Sequence, residues 1–388
     1  MNILVIGNGF DIAHNLPTKY SDFLDFIREF NLPCNNAEDC GAKCRFTTDI
    51  LRIRESLPQI STEIETLTLD NLWTNYFLQM QEALIASGKE GWIDFEAEIS
   101  RIIRTFDEVR SQLNEQIRVG KTGVELNHTQ QEILDPIIIP NKLHLSSKTS
   151  ITLPAISHFK KTLYKDLNRL TRCLEIYLCH VVSQMSCDKL SVVEKLKIDR
   201  VLTFNYTNTF ERIYGYDAKD IQYDYIHGKV CEDSTVESCN LVLGIDEYQE
   251  RPYCDSDNEY IRFKKFYQRI YKMTGCKYID WLIARNSAIQ RTPKLKDTYK
   301  LNLYFYGHSL DVTDKDILRK LILEDGANTV IFYHSQNALG DQIANLVKVI
   351  GQDELIKRTD GSNRSITFVD LKSQDISIDD GYSIEDML

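Results

Sequence analysis

The chain opens with a short run of branched apolar residues that ends at a glycine turn and is followed by helical periodicity. Residues 2–7 (NILVIG) have the composition of a buried parallel strand, and residues 18–30 space their apolar side chains as one helix face does. Further strand patterns, alternating with helical ones, return only after residue 190. This alternation predicts an α/β fold with a doubly wound, mainly parallel, Rossmann-like sheet.

The strand and helix patterns also predict how the chain is divided. We expect residues 1–30 and 191–372 to form a nucleotide-binding core, with strands at 199–205, 221–226, 241–245, 301–306, 329–333 and 365–371. The pattern over residues 31–190 predicts a mostly helical insertion with an irregular excursion at 120–150. Residues 250–295 predict a second helical insertion, and 373–388 an acidic tail.

Charge and apolar content restrict the classes of partner. The 388 residues carry 46 Lys and Arg against 57 Asp and Glu, a formal net charge of −11, so we expect no nucleic-acid partner. No stretch approaches the roughly 20 apolar residues that span a bilayer, and the N-terminus lacks the pattern of a signal peptide. We therefore expect a cytoplasmic protein with no membrane partner.

The ten cysteines are then expected to be reduced thiols. Cys34, Cys40 and Cys44 cluster in the polar segment CNNAEDCGAKC, but a zinc site there would need a fourth ligand from elsewhere. A loop with free thiols is favoured, and we expect no metal.

Polar residues follow five of the predicted strands. Because ligands of an open parallel sheet bind beyond the carboxyl ends of its strands, five such ends in one chain predict a single nucleotide pocket. The candidate binding and catalytic residues are Gly7, Asn8, Gly9, Phe10 and Asp11; Thr203 and Asn205; His227 and Gly228; Gly244 and Asp246; and Gly307, His308, Ser309 and Asp311.

The two glycine turns, GNGFD and GHSLD, suit phosphate binding, since glycine lets backbone N–H groups approach an anion. The first turn lacks the third glycine of the dinucleotide fingerprint. Its alternative is a tight turn in which Asp11 caps the next helix. The alternative for the second turn is a helix cap by Ser309 or Asp311.

Asn205 and His227 are the candidates for catalysis. An amide offers donors and acceptors for a ribose hydroxyl or a water, and a histidine can take a proton near neutral pH. The alternatives are a cap on a short helix from Thr207 for Asn205, and a structural role for His227.

Each of two further patterns has both a structural and a functional interpretation. Asp94 is expected at a helix start, whereas Glu96 is a candidate to point into the pocket. Aromatic and basic residues interleave between 260 and 278, as in surfaces that stack single-stranded nucleic acid. An amphipathic helix that packs its aromatics inward is the favoured interpretation.

Six motifs resemble one known family. LVIGNGFDIAHNLPTKYSDFL, WIDFE, LTFNYTNTFE, YIHG, LVLGID and FYGHSLDVTDKDIL occur in this order between residue 3 and about 318. In these motifs the chain resembles the AbiH family of bacteriophage abortive-infection proteins. The resemblance implies an antiphage effector.

A more distant resemblance is to the sirtuin-like NAD-binding fold. Its glycine loop, T-x-N, His-Gly and G-x-S motifs correspond to Gly7 and Gly9, to residues 203–205, to 227–228 and to 307–310. The resemblance implies that His227 deprotonates a ribose hydroxyl or a water, that Asn205 positions the ribose or water, and that the glycine turns hold the diphosphate and second ribose. NAD is then the expected substrate.

The chain departs from protein-deacetylating sirtuins in three ways, the first of which is Phe10-Asp11 in the first loop, where sirtuins have a small-residue sequence. It has no paired Cys-x-x-Cys zinc ribbon, and Thr207 stands where an Asp often follows the Asn by two positions. Simple hydrolysis of NAD at the nicotinamide–ribose bond is therefore favoured over deacetylation.

Two other functions stay open. The pocket could bind a nucleotide signal without turnover, or Asp11, Asp94, Glu96 and Asp246 could surround a metal in a nuclease. A constitutive NAD-cleaving enzyme would harm its host, so we expect gating by the helical insertions or by homo-oligomer assembly, with a phage or host protein as a candidate trigger.

Overall fold

The computed structural model describes residues 1–32, 44–88, 93–139, 150–215, 220–245, 260–360 and 364–372. These residues form eight strands and fifteen α-helices. The strands are β1 (Asn2–Ile6), β2 (Val124–Glu125), β3 (Ser150–Ile151), β4 (Arg200–Thr203), β5 (Gln222–Tyr225), β6 (Leu301–Tyr306), β7 (Ala327–Tyr333) and β8 (Ile366–Asp370). The helices are α1 (Asn8–Ala13), α2 (Tyr20–Phe30), α3 (Thr47–Ser56), α4 (Pro58–Thr68), α5 (Leu72–Ala86), α6 (Phe95–Arg118), α7 (His128–Ile138), α8 (Leu153–His180), α9 (Ser191–Glu194), α10 (Thr209–Tyr214), α11 (Lys265–Tyr271), α12 (Lys277–Arg291), α13 (Lys315–Ile322), α14 (Gln336–Ile350) and α15 (Gln352–Thr359).

Six of the strands form one sheet in the order β5-β4-β1-β6-β7-β8, and every pair in it is parallel. Counted along the chain, this order is third, second, first, fourth, fifth, sixth, which is the order of the Rossmann fold. The predicted fold class is confirmed. The direction of strand addition reverses between β1 and β6, the two central strands.

Helices cover both faces of this sheet, as parallel strands require. Along β1, Val5 contributes to one hydrophobic core, and its neighbours Leu4 and Ile6 contribute to the other. Residues of α12, α13 and α14 complete the first core, and residues of α10 complete the second. The alternation of apolar side chains along β1 therefore supplies both cores.

The chain divides by its contacts into two compact units. The sheet unit comprises Met1–Pro17, Met185–Lys229 and Thr274–Leu388, and the helical unit comprises Thr18–Gln184 and Val230–Met273. In this division α2 belongs to the helical unit, whereas the predicted core extended to residue 30. Helix α12, predicted within a second insertion, contributes Tyr278, Trp281 and Leu282 to a core of the sheet unit.

The prediction of an irregular excursion at 120–150 is wrong in part, because α7 lies within it. Asn127 and Gln130 form a reciprocal capping box: each side chain accepts from the other's backbone N–H, at 2.9 and 3.1 Å. Pro136 lies inside the helix, and the buried residues Leu134, Ile137 and Ile138 lie around it. Local capping and burial outweigh the proline that suggested a break.

The predicted strand at 241–245 is also wrong. Only Ile245 forms a bridge, and its partner is Lys264 in the helical unit. The Ile245 N–H donates to the Phe263 carbonyl at 2.8 Å, and the Lys265 N–H donates to the Ile245 carbonyl at 2.9 Å. An apolar run of five residues cannot itself specify which backbone it pairs with.

The turns that follow the two central strands lie in direct contact. The N–H of Gly9 donates to the carbonyl of Gly307 at 2.8 Å. A Cβ on Gly7 would lie 2.8 Å from that same carbonyl oxygen, and Gly307 has a φ of +65°. Side chains are excluded at these positions because the two backbones touch.

We expect Gly307→Ala to lower the free energy of unfolding by about 3 kcal/mol or more. The new Cβ would overlap the Phe10 backbone nitrogen, and the left-handed conformation adds about 1–2 kcal/mol. Gly88→Ala is the matched control, since Gly88 has a φ of +66° and nothing within 4 Å of its Cβ position. Equal losses for the two variants in chemical denaturation would contradict the close contact between the turns.

Candidate functional site

The carboxyl ends of four neighbouring strands are aligned by their register. Ile6 pairs with Thr203 and with Tyr306, and Thr203 pairs in turn with Tyr225. The four turns therefore begin at one level of the sheet. The residues two positions further along are His227, Asn205, Asn8 and His308, all of them predicted site residues.

The first glycine turn uses its backbone donors within the protein. The Gly7 N–H donates to the Tyr306 carbonyl at 3.3 Å, and the Phe10 N–H donates to the Gly7 carbonyl at 2.9 Å. Together with the hydrogen bond from the Gly9 N–H to the Gly307 carbonyl, these contacts give a structural explanation for glycine at positions 7 and 9. Phosphate binding by this turn stays a prediction. Phe10 itself is fully buried, with its ring 5.7 Å from that of Tyr306.

Asn205 connects the turn after β4 to the turn after β1. Its buried side-chain amide donates to the Gly7 carbonyl at 2.9 Å, and its backbone N–H donates to the hydroxyl of Thr203 at 3.0 Å. The alternative of a helix cap does not hold, because α10 begins after Asn208, which makes no side-chain cap bond. Asn205 thus orders the edge of the sheet.

His227 is paired with a carboxylate that the sequence analysis did not select. Its Nε2 lies 3.1 Å from Oδ1 of Asp314, and both side chains are buried. An ionised carboxylate only accepts hydrogen bonds, so with Asp314 ionised Nε2 carries the ring proton and a further proton is taken by Nδ1. Asp314 lies in the motif FYGHSLDVTDKDIL, and a histidine's need for an orienting carboxylate was the signal that could have found it.

The second glycine turn holds a second histidine in a defined state. The Leu310 N–H donates to Nδ1 of buried His308 at 2.9 Å, so neutral His308 carries its proton on Nε2. Leu310 has a φ of +57° although it is fully buried. A bulky residue in this left-handed conformation is strained, and such strain clusters at functional sites.

The other residues of this turn serve as structural supports. Asp311 accepts from the Thr313 N–H at 2.9 Å and so caps the short 3-10 turn Val312–Asp314, which presents the carboxylate to His227. The Ser309 carbonyl accepts from the amide of Asn345 at 3.0 Å. The alternative of an Asp cap is therefore confirmed for Asp311.

Asp11 is a buried carboxyl group held by threonines. The Thr207 hydroxyl donates to its Oδ2 at 2.6 Å, and the Thr209 hydroxyl donates to that of Thr207 at 3.1 Å. Burial raises the pKa of Asp11 to about 6, and the hydrogen bond from Thr207 opposes that rise. Its side chain does not cap the next helix, because the residue before α2 is Lys19.

The remaining predicted binding residues are not all in the sheet unit. Gly228 follows His227 with a φ of +84°, and its N–H donates to the Tyr225 carbonyl at 3.2 Å. Gly244 belongs to the helical unit, where a Cβ would lie 2.9 Å from the Gln268 amide. Asp246 lies outside the described residues.

The carboxylates proposed for a nuclease have other partners. Asp94 caps α6 by accepting from the Ala97 N–H at 3.0 Å, as expected. Glu96 forms an ion pair with buried Lys265 at 2.7 Å, within the helical unit. In the part of the chain that the structure describes, no group of three or more His, Cys, Asp or Glu could hold a metal ion.

The cysteine cluster is only partly described. Cys34 and Cys40 lie outside the described residues, and Cys44 is partly buried and not part of a disulfide. Among the described helices, none is long and apolar enough to cross a membrane.

The comparison with family models finds "Bacteriophage abortive infection AbiH", which matches residues 3–334. The chain belongs to the AbiH family. No curated protein and no solved structure matches it. Membership in this family supports a function in bacteriophage abortive infection. It also confirms the resemblance to AbiH proteins that the six sequence motifs indicated.

The six motifs of this AbiH chain fall in both units. Four of them form the aligned turns of the sheet unit. The other two, WIDFE and LVLGID, contribute Glu96 and Ile245 to contacts with Lys265 in the helical unit. The sequence expectation that all five polar strand ends share one edge is therefore wrong for LVLGID, which is not a strand of the sheet.

We expect Asp11→Asn to raise the free energy of unfolding at pH 7.5 by up to about 3 kcal/mol. The folded-state pKa of Asp11 is raised by about two units, so ionisation of this carboxyl costs the folded state about 1.4 kcal/mol per unit, and an asparagine does not ionise. The folded pKa lies above the unfolded value, so the penalty is full above pH 6 and absent below pH 3.8. Chemical denaturation between pH 4 and 7.5 should show the gain shrinking as the pH falls. The exposed Asp353→Asn is the control, and a pH-independent difference for Asp11→Asn would contradict the assignment.

Proposed function

We propose that this AbiH protein acts in abortive infection by binding NAD and hydrolysing its nicotinamide–ribose bond. The observation that carries the proposal is the buried pair of His227 and Asp314 at the carboxyl edge of a Rossmann-ordered sheet. A paired histidine of this kind is a suitable general base. Loss of NAD would then arrest the infected cell.

The strand order supports a dinucleotide as the ligand. In a sheet of this order, ligands bind in the crevice where the order reverses, which here lies beyond β1 and β6. The turns after these two strands are the two glycine turns, and their mutual contact holds them at fixed separation. At the same level of the sheet the Leu310 N–H donates to Nδ1 of His308, so the proton of a neutral His308 ring is on Nε2.

The proposed reaction uses His227 Nδ1 as the base. The bond between ribose C1′ and the nicotinamide nitrogen breaks, and its electron pair remains on nicotinamide. The oxygen of a water bonds to C1′, and the proton of that water passes to His227, either directly or through a ribose hydroxyl that gives its own proton to His227 and takes the proton of the water. Asp314 accepts from Nε2 throughout and stabilises the imidazolium that forms. Asn205 acts by positioning the first turn.

Binding of a nucleotide signal without turnover would use the same edge of the sheet and is distinguished by experiment. We also propose that a phage or host protein, or assembly of copies of this chain, controls the activity. A host with an uncontrolled NAD-cleaving enzyme would lose NAD without infection. Among the described residues, no contact favours the nuclease.

We expect His227→Gln to lower the rate of nicotinamide release from NAD by about 10²–10⁴-fold, the contribution typical of a general base. Asp314→Asn should cause a smaller loss, because the base remains but is oriented less well. His334→Ala, an exposed histidine after β7, is the matched control and should retain the activity. Release is followed with purified protein, and NAD levels are followed in infected cells. NAD loss that His227→Gln leaves unchanged would contradict the proposal.

Removal of metal ions should leave the reaction intact, because the proposed step uses only a side-chain base. Purified protein is assayed for nicotinamide release and for cleavage of DNA and RNA, each with and without EDTA. Nicotinamide release that EDTA spares is the expected result. Nucleic-acid cleavage that EDTA abolishes, without nicotinamide release, would favour the nuclease instead.

A further inference from the structure

One oxygen of the Asp11 carboxyl group is buried without a hydrogen bond. Oδ2 accepts from Thr207, but Oδ1 has no partner among the described residues, although the residue is only 1% exposed. A buried acceptor left unmet costs about 1–3 kcal/mol. Oδ1 is therefore an acceptor that a donor beyond the described residues can satisfy.

The position of Asp11 relates this oxygen to the proposed nucleotide site. Asp11 lies in α1, two residues after Gly9, and its partner Thr207 lies two residues after Asn205 in the segment between β4 and α10. Asn205 joins the turn after β4 to the turn after β1 by donating to the Gly7 carbonyl. The unmet acceptor thus lies between two adjacent turns at the carboxyl edge of the sheet, where ligands of this fold bind.

We propose that Oδ1 of Asp11 accepts a hydrogen bond from a neutral N–H or O–H group of the dinucleotide and excludes an anion from that position. The inference rests on the proposed NAD-binding function and adds its substrate selectivity. A carboxylate accepts but cannot donate, so a donor fits and a second negative charge is repelled.

Asp11 and the nearby Arg212 are two charged groups at this position. The Arg212 guanidinium donates through Nη1 to the Met185 carbonyl and through Nη2 to Sγ of Cys187, the latter at 3.3 Å. With a pKa raised by burial to about 6, Asp11 is mainly ionised at pH 7.5 and presents a charged acceptor. NAD offers two kinds of neutral donor, its carboxamide N–H and its ribose hydroxyls.

Three dinucleotides distinguish these donors: NAD, its nicotinic acid analogue with a carboxylate in place of the carboxamide, and NADP with a phosphate on a ribose hydroxyl. Their binding to the full chain is measured by calorimetry at pH 7.5 in the His227→Gln background, which prevents turnover. We expect NAD to bind at least about tenfold more tightly than one of the anionic analogues, equivalent to about 1.4 kcal/mol. The analogue that is rejected identifies the donor.

Asp11→Asn should reduce this discrimination to about threefold or less, because the amide no longer repels an anion. Asp224→Asn is the matched control: Asp224 is also a buried carboxyl with one unmet oxygen, and its other oxygen accepts from the Tyr278 N–H at 2.8 Å. It should retain full discrimination.

Each other outcome overturns a distinct claim. Equal binding of all three dinucleotides, or an equal loss for all three in Asp11→Asn, overturns the role of Asp11 and leaves NAD binding intact. Binding with discrimination but without nicotinamide release by the unmodified chain overturns hydrolysis alone. No binding of any of the three overturns the nucleotide site together with the inference.

Discussion

The sheet unit depends on the close contact of two backbone turns, in which the N–H of Gly9 donates to the carbonyl of Gly307. These turns follow the two central strands, on either side of the point where the strand order reverses. The contact leaves no room for side chains, so glycine is required by packing before any ligand is considered. The amide of Asn205 extends it to a third turn by donating to Gly7. The edge of the sheet is therefore ordered by hydrogen bonds within the chain.

On this ordered edge, two histidines are held in defined tautomers. The carboxylate of Asp314 accepts from Nε2 of His227 and leaves Nδ1 basic, whereas the backbone N–H of Leu310 donates to Nδ1 of His308 and leaves its proton on Nε2. In the proposed reaction the His227 ring serves as the base. Both states are set by neighbours in the turn after β6, where Leu310 adopts a strained conformation.

The family motifs extend beyond this site. Two of them meet in the helical unit, where Glu96 forms an ion pair with buried Lys265 and the Lys265 N–H donates to Ile245. A buried pair of this kind is costly to break because each charge would be left without its partner. The chemistry of the proposed reaction lies in the sheet unit, and these two motifs have a structural explanation in the helical one.

The fold class, the extent of most strands and the polar character of four turns could be predicted from the amino-acid pattern, because strand and helix periodicities are local properties of a chain. His227 and Asn205 could be predicted as site residues from residue type. The partners of the polar residues follow from the folded arrangement: Asp314 pairs with His227, Thr207 pairs with Asp11, and Ile245 pairs outside the sheet. Such contacts join residues far apart in the chain, and no local pattern encodes which distant backbone or carboxylate will be brought within hydrogen-bonding distance.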